Sequence, residues 1–328
     1  MKAGKITEPQ CKRSVLNLLP PNGSNVIQGA GIGRDYSAFI LDAEQHLVTA
    51  MSTMSLPTKN PERYAFWKAC NKLETSGGTA TAIMANVLLP ARGNESRIKE
   101  ITRSLVSLCE EHQISYLGGH TELLEELRCP IITVVAYGTR EQHICSIQNI
   151  KPGDSILMVG TAAMETTAML VNDQWEALNT RYATSYLDVA AEVGKDLSLH
   201  KVFSALDMSM VTYVHDISTG GVFSALWEVG EGTGCGLEVR LKDIPIRQET
   251  IEVCEFFDLN PYMATSGGSA LIISSNGEAL LDILEKKGIS ARMIGQTTSQ
   301  NDRIVLNDDD TRYLTPPKGD DIYKIYRN

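Results

Sequence analysis

The stretch His215-Asp216-Ile217-Ser218-Thr219-Gly220-Gly221 lies between a predicted strand, Met210 to Val214, and a predicted helix, Val222 to Glu231. Glycines at such a junction let the backbone approach a ligand closely, and free amides at the start of a helix favour anions. Asp216 could hold a cation that accompanies phosphate, because Mg²⁺ prefers carboxylate oxygen. In the alternative interpretation a hydroxyl of the stretch caps the helix and the glycines form a turn. The stretch alone leaves both interpretations open.

Strand and helix patterns alternate on both sides of this stretch. Apolar residues at three- and four-residue spacing predict helices at Pro61 to Leu73 and Ser96 to His112. A short apolar run predicts a buried strand at Ala82 to Leu89. Strands and helices mixed in both halves predict α+β, or α/β-type mixed, domains. A turn signal at Lys151-Pro152-Gly153-Asp154 separates the halves, so we place the domain boundary near residue 148.

The composition narrows the class of protein. The chain has 328 residues, enough for two domains, with 43% hydrophobic and 21% charged residues. It contains no apolar run of bilayer length and begins with no secretory pattern. We therefore expect a cytoplasmic protein that does not bind a membrane. The net charge is -10 and no basic stripe is interleaved with aromatics, so nucleic acid is not an expected partner. A small ligand or a protein partner fits better.

The residue types that usually bind zinc or act as covalent nucleophiles are scattered along the sequence. The 7 cysteines and 6 histidines show no Cys-x-x-Cys or His-x-x-x-His spacing. No Gly-x-Ser-x-Gly motif is present. Neither a structural zinc site nor a covalent nucleophile is therefore predicted.

A second glycine-containing motif, Gly118-Gly119-His120-Thr121-Glu122, follows a predicted strand at Ile114 to Leu117. Loops at the carboxyl ends of strands often bind ligands in α/β proteins. His120 is suited to proton transfer or to phosphate contact near neutral pH. The alternative is a tight turn that carries a solvated histidine.

Two further glycine-rich segments give weaker signals. Gly29-Ala30-Gly31-Ile32-Gly33-Arg34-Asp35 precedes a strand and no helix, so it matches neither the Rossmann nor the Walker pattern. Thr265-Ser266-Gly267-Gly268-Ser269 leads into a predicted strand and could form a second anion nest, although a β-turn is the simpler interpretation.

The order of the motifs is more specific than any one of them. In chain order they are Gly31-Ile32-Gly33-Arg34-Asp35, Gly118 to Glu122, Lys151 to Asp154, His215 to Gly221, Ile244-Pro245-Ile246-Arg247-Gln248-Glu249-Thr250, and Leu259-Asn260-Pro261 leading to Ser266-Gly267. This series resembles the aminoimidazole ribonucleotide (AIR) synthetase superfamily, especially its hydrogenase-maturation dehydratase and AIR-synthase-related branch. The resemblance covers nearly the whole chain, from about Gly4 to Tyr323.

The resemblance implies an AIR-synthase-like fold, with an N-terminal domain over residues 1–148 and a C-terminal domain over residues 149–328. It implies a homodimer whose N-terminal domains pair their sheets, with ATP and Mg²⁺ in clefts near that pairing. Family enzymes use ATP to activate an amide or carboxylate oxygen, or to phosphorylate a small substrate. If the chain is an enzyme, we therefore expect an ATP-dependent ligase, dehydratase or small-molecule kinase.

The motif positions also imply roles for individual residues. His120 and Asp216 are the catalytic candidates, and Asp35 and Asp216 are the candidate ligands of Mg²⁺. The candidates for cofactor binding are Gly31, Gly33, Asp35, Asn71, Lys72, Gly118, Gly119, Thr121, Gly220 and Gly221.

The chain departs from the family pattern where carboxylates are expected to gather Mg²⁺. The first acidic pair is Arg34-Asp35, so one carboxylate is kept. The aspartate expected after the next strand falls on Met51 or Ser52, and the expected Asn-Asp is Asn71-Lys72. Lys72 would bring a positive charge to a place expected to hold the metal.

Three functional hypotheses follow. The first is a protein that binds ATP or another phosphate-bearing ligand with altered or weakened ATP-dependent chemistry. The second is a non-catalytic dimeric scaffold or regulator that binds a maturation or metabolic protein partner. The third is a fully active ATP-dependent enzyme in which Glu122 or Glu74 supplies the missing charge. Calorimetric titration with ATP and Mg²⁺ distinguishes the three.

Overall fold

The computed structural model describes residues 8–14, 16–18, 26–28, 31–41, 45–92, 95–141 and 145–326. The chain divides into two compact units. The larger unit consists of Met1–Gly23, Ala30–Asp35 and His143–Asn328, and the smaller unit consists of Ser24–Gly29 and Tyr36–Gln142. The larger unit therefore takes residues from both sides of the smaller unit along the chain.

Helices and strands alternate through the described residues, as the mixed-class prediction requires. The helices are α1 Glu8–Ser14, α2 Pro61–Glu74, α3 Glu95–Glu111, α4 Met164–Asp173, α5 Trp175–Leu178, α6 Thr184–Glu192, α7 His200–Ala205, α8 Gly221–Thr233, α9 Gln248–Phe256 and α10 Gly277–Lys286. The strands are β1 Val26–Gln28, β2 Ser37–Ile40, β3 Gln45–Met54, β4 Thr79–Pro90, β5 Ser115–Leu124, β6 Ile131–Glu141, β7 Ser155–Val159, β8 Tyr213–Ile217, β9 Gly236–Arg240, β10 Ser269–Ser274, β11 Ala291–Thr298, β12 Arg303–Asn307 and β13 Asp310–Tyr313. The α+β fold class is confirmed.

The smaller unit is a six-stranded sheet in the order β1-β2-β3-β6-β4-β5, with α2 packed on β3 and β6. The face of α2 predicted to be apolar is buried, since Phe66 is 1% and Leu73 is 0% exposed. Strands β4 and β5 run parallel, and all other pairs in this sheet are antiparallel.

The prediction that Gly118 to Glu122 forms a loop after a strand is wrong. The whole motif lies inside β5, where Gly119 is opposite Ala85 and His120 is opposite Asn86. Parallel pairing with β4 continues through the two glycines, with one register shift between Ile83 and Ala85. The glycines mark an irregularity in a strand and not its end, which is the other common use of glycine in a sheet.

The larger unit is a seven-stranded sheet in the order β13-β12-β9-β11-β7-β10-β8. Both of its faces are covered. On β7, Ile156 and Met158 belong to one apolar cluster, while Leu157 and Val159 belong to another. Because successive side chains of a strand point to opposite faces, these clusters lie on the two sides of the sheet. The cluster with Ile156 includes residues of α8, and the other includes residues of α10.

The strand predicted at Met210 to Val214 is displaced along the sequence. Strand β8 spans Tyr213–Ile217, so His215 and Asp216 belong to the strand and only the end of the stretch is a loop. His215 is paired with Leu271 of β10. All five residues of β8 are buried, and the buried imidazole of His215 is tolerated because ionic partners lie beside it. Among the described helices, none is both long and apolar enough to cross a bilayer.

Candidate functional site

His215 lies between two carboxylates inside the larger unit. Its Nδ1 is 2.6 Å from Oδ2 of Asp35, and its Nε2 is 3.2 Å from Oε2 of Glu228. Strand β8 supplies the histidine, and α8, which packs on this strand, supplies the glutamate. Asp35 comes from the segment just before β2. The side chain of His215 is 2% exposed, so this is a buried cluster of one imidazole and two carboxylates.

The two carboxylates decide the charge of His215. Burial by itself lowers the pKa of a histidine, since the charged form loses water. Asp35 and Glu228 act in the opposite direction by charge and hydrogen bonding, and together they raise the pKa of His215 to about 10. The imidazole is therefore a buried cation at neutral pH.

The stability of the larger unit should depend on pH through this group. A histidine with a pKa raised in the folded state stabilises fully below its unfolded value of 6.5, and this stabilisation is lost as pH rises through about 10. We expect amide exchange of β8 and β10 to become faster, after correction for intrinsic rates, between these two values. An NMR titration of the His215 ring should show the protonated form throughout the neutral range. Deprotonation of this ring near its unfolded value would contradict the prediction.

Two further contacts fix the segment that carries Asp35. The hydroxyl of Tyr213, on the same face of β8 as His215, donates to the carbonyl oxygen of Gly33. The backbone N–H of Asp216 donates to Oδ2 of Asp35 at 3.0 Å. The predicted neighbours Asp35 and Asp216 are therefore brought together, through the backbone of one and the carboxylate of the other.

These contacts engage one carboxylate oxygen of Asp35, and the magnesium role implied for this residue stays a prediction. Its Oδ2 atom faces an imidazolium and accepts an amide N–H. A positive ring 2.6 Å away competes with a divalent cation for that oxygen. Within the described residues there is no group of three or more histidine, cysteine, aspartate or glutamate side chains placed to hold a metal ion.

The loop end of the 215–221 segment combines buried glycines with more accessible hydroxyl residues. Gly220 and Gly221 are buried, whereas Ser218 and Thr219 are half-buried. Gly221 has φ +68°, and a Cβ atom there would lie 2.6 Å from the carbonyl oxygen of Ala264. The chain needs glycine at this position because the backbone of the next segment passes too close for any side chain. An approaching ligand would therefore meet Ser218 and Thr219 first.

The Thr265 to Ser269 segment is held by a buried carboxylate. Glu165, at the start of α4, is 0% exposed, and its Oε2 accepts the hydroxyl of Thr265 at 2.8 Å and the N–H of Gly267 at 3.1 Å. The backbone N–H of Ser266 donates to the carbonyl oxygen of Ser218 at 3.2 Å, which joins this segment to the 215–221 segment. Internal acceptors occupy these amides, which supports a turn here over the second anion nest that we considered.

The remaining predicted residues lie in the smaller unit. His120 is exposed on β5, and its Nε2 is 3.1 Å from Oε2 of Glu122. Thr121 and the glycines Gly118 and Gly119 are on the same strand, with Gly119 opposite Ala85. On α2, Asn71 is buried and Lys72 is half-buried.

The other predicted residues belong to the larger unit. They are Gly31, Gly33, Asp35, Asp216, Gly220 and Gly221. Their roles in binding and catalysis stay predictions.

Three carboxylates of the site were not predicted. Glu228 lies thirteen residues after His215, on the helix that follows it, and a strand–loop–helix unit could have suggested the contact. Glu165 and Asp320 act from distant parts of the chain, and Asp320 accepts the N–H of Gly220 at 2.6 Å. No local spacing connects either residue to the segments that it holds.

Comparison with known proteins finds relatives over most of the chain. The model described as "AIR synthase related protein, C-terminal domain" matches residues 151–307, and its N-terminal counterpart matches residues 36–139. A putative hydrogenase expression/formation protein of Methanocaldococcus jannaschii is 21% identical over 336 residues, covering 98% of this chain and 97% of the relative. The carbamoyl dehydratase HypE of Azotobacter vinelandii is 21% identical over 276 residues, and the match covers 81% of this chain and 77% of the relative.

Solved structures show the same fold. The chain superposes on a chain of a HypE–HypF complex with a TM-score of 0.70 and 18% identity, covering 85% of this chain and 93% of that one. HypE in complex with ATP gives a TM-score of 0.66 and 16% identity, with 85% and 87% covered. The ordered motifs, the two-unit fold and the matches over both halves lead to one conclusion: the chain belongs to the AIR synthase related family.

Proposed function

We propose that this chain is a hydrogenase-maturation-factor-like protein that binds ATP or another phosphate-bearing ligand at the 215–221 segment, with altered ATP-dependent chemistry. The observation that carries the proposal is the accessible pair Ser218 and Thr219 at the start of α8, on a backbone that is fixed by buried ionic and hydrogen-bonded partners. Hydroxyl groups at a helix start can donate hydrogen bonds to phosphate, and the helix dipole favours an anion there. A related fold binds ATP in the HypE complex, which supports ATP as the first ligand to test.

The altered chemistry is proposed from the residues that stand at the positions of expected carboxylates. The family pattern expects carboxylates where this chain has Arg34, Met51 or Ser52, and Lys72. The carboxylate that is kept, on Asp35, faces an imidazolium. Phosphoryl transfer depends on cations that neutralise the negative charge of the triphosphate. Basic side chains in place of metal-binding carboxylates change which cations neutralise that charge. We therefore propose that binding does not require magnesium.

Calorimetric titration tests both parts of this proposal. We expect ATP to bind with similar affinity in MgCl₂ and in EDTA. The double variant Ser218→Ala, Thr219→Val should weaken binding about a hundred-fold or more, since each hydroxyl contributes one hydrogen bond to a charged group. The matched control is Thr184→Val, which removes an exposed hydroxyl at the start of α6 and should leave the affinity unchanged.

Each other outcome of this titration has its own meaning. Binding that requires Mg²⁺, followed by ATP turnover with an amide or carboxylate substrate, would favour the fully active enzyme. No binding of any nucleotide would favour the non-catalytic scaffold. A HypE–HypF complex exists among the structures with this fold, which makes a maturation protein the partner class to test in that case. We propose a cytoplasmic location for either form.

We also propose a homodimer formed through the sheet of the smaller unit. Met51 of β3 and Met84 of β4 both lie opposite Val135 of β6, so the three side chains share one face. Met51 is 61% and Met84 is 40% exposed, and Leu117 of β5 is 61% exposed. Several large apolar side chains on one sheet face are typical of a protein interface.

A charge placed on this face should separate the dimer. In analytical ultracentrifugation we expect the wild-type chain to sediment as a dimer and Met51→Lys as a monomer at the same concentration, because a buried unpaired ammonium opposes association. Val189→Lys is the control, since Val189 is a 48% exposed residue of α6 in the larger unit. A wild-type monomer, or a Met51→Lys dimer, would contradict the proposal.

A further inference from the structure

One buried carboxylate joins the 215–221 segment to the end of the described chain. Asp320 is 6% exposed, and its Oδ2 accepts the N–H of Gly220 at 2.6 Å. Its Oδ1 accepts the N–H of Thr265 at 3.2 Å and the N–H of Ile322 at 3.0 Å. The start of α8, the second glycine-rich segment and the C-terminal segment, residues 318–326, therefore meet at this side chain.

The C-terminal segment has further anchors around this carboxylate. The next residue, Asp321, accepts the N–H of Asn260 and the ammonium of Lys324, both at 2.8 Å. The hydroxyl of Tyr326 donates to Asp173 of α4 at 2.6 Å. These contacts place Asp320 without using the 215–221 segment, so the carboxylate can impose a conformation on that segment.

The bonds to Asp320 also determine which part of the 215–221 segment remains for a ligand. The amide of Gly220 is committed to Asp320, and the amide of Gly221 donates to the carbonyl oxygen of Ser218 at 3.0 Å. Amide bonds to an ionised carboxylate are among the stronger hydrogen bonds of a protein interior. With its glycine backbone fixed in this way, the segment keeps Ser218 and Thr219 on its accessible side.

We propose that Asp320 is a positioning residue for ligand binding: it fixes the backbone of Gly220 and Thr265 so that Ser218 and Thr219 are presented to the ligand. The ligand-binding part of this inference rests on the proposed function. Asp320 lies beyond residue 307, where the C-terminal family match ends, so the proposal adds a residue from outside the matched domain.

The test compares Asp320→Asn with Asp321→Asn in the full chain. Both variants remove one negative charge from adjacent residues, but only Asp320 accepts the amides of Gly220 and Thr265. We expect Asp320→Asn to move the amide proton resonances of Gly220 and Thr265 upfield and to weaken ATP binding about ten-fold. Asp321→Asn should leave both resonances and the affinity close to wild type.

The outcomes separate this inference from the proposed function. Unchanged Gly220 and Thr265 resonances in Asp320→Asn, or shifted resonances with unchanged ATP affinity, overturn the inference. A wild-type chain that binds no ATP overturns the proposed function, and shifted resonances in the variant then still support the positioning of the segment. If Asp320→Asn does not fold, Asp320→Glu keeps the charge on a longer side chain. It should shift the same two resonances and weaken ATP binding, and wild-type behaviour would overturn the inference.

Discussion

Replacing His215 with alanine is expected to lower the free energy of unfolding of the larger unit by about 3–5 kcal/mol. The substitution removes the cation that lies 2.6 Å from Asp35 and 3.2 Å from Glu228. The two carboxylates then lose the charge that compensates them, and burying such uncompensated charges is costly. Amide exchange of β8 and β10 measures the loss at the site, and urea unfolding followed by circular dichroism measures the loss for the whole chain.

The matched control is His120→Ala, which also removes a histidine paired with a glutamate. His120 and Glu122 have side chains that are 64% and 52% exposed, so solvent screens the pair and its loss should cost less than about 1 kcal/mol. If the two variants were equally stable, the buried cluster would not be the ionic anchor that its geometry indicates.

Replacing Gly119 with alanine should destabilise the smaller unit by about 4 kcal/mol or more. Gly119 has φ +153°, and a Cβ atom there would lie 1.8 Å from the carbonyl oxygen of Ala85 on the neighbouring strand. Backbone atoms of a paired strand cannot move away as a flexible side chain can, so the β4–β5 pairing must break locally. Amide exchange along β4 and β5 should show the loss.

The adjacent glycine provides the control for this prediction. Gly118 has φ +110°, yet a Cβ atom there meets no other atom within 4 Å. Gly118→Ala should therefore cost only backbone strain, about 1–2 kcal/mol. Because both substitutions add the same methyl group to the same strand, the difference between them isolates the contact with Ala85. Equal costs would show that this contact does not limit the position.

Periodic apolar patterns predicted the larger elements well, because an element that is buried on one face has apolar residues at regular spacing in its sequence. The helix predicted at Pro61 to Leu73 is found at Pro61–Glu74, and the helix predicted at Ser96 to His112 is found at Glu95–Glu111. The predictions at the two glycine-containing motifs were less accurate. Strands β5 and β8 continue through residues that are typical of loops, since their partners are a parallel strand in one case and buried carboxylates in the other.

Apart from what the family resemblance implied, the candidate site was predictable only where its residues are close in sequence. Asp35 and Asp216 were both predicted, and they are in contact although 181 residues separate them. That contact was suggested by the resemblance to a family, because no spacing rule operates over such a distance. Glu165 and Asp320 hold backbone amides, which carry no sequence signal, so nothing near Gly220 or Thr265 points to them.

The division of the chain has a consequence for the order in which the protein can form. Asp35 is synthesised before Tyr36–Gln142, the longer part of the smaller unit, His215 comes well after this part, and Asp320 comes near the end. All strands of the smaller unit have been synthesised once Gln142 has left the ribosome. The contact of His215 with Asp35 cannot form before β8 is synthesised, and the bond from Gly220 to Asp320 cannot form before the last residues are synthesised. Contacts of such long sequence separation form late and slowly. The smaller unit of the nascent chain can thus be complete while the larger unit still lacks these contacts.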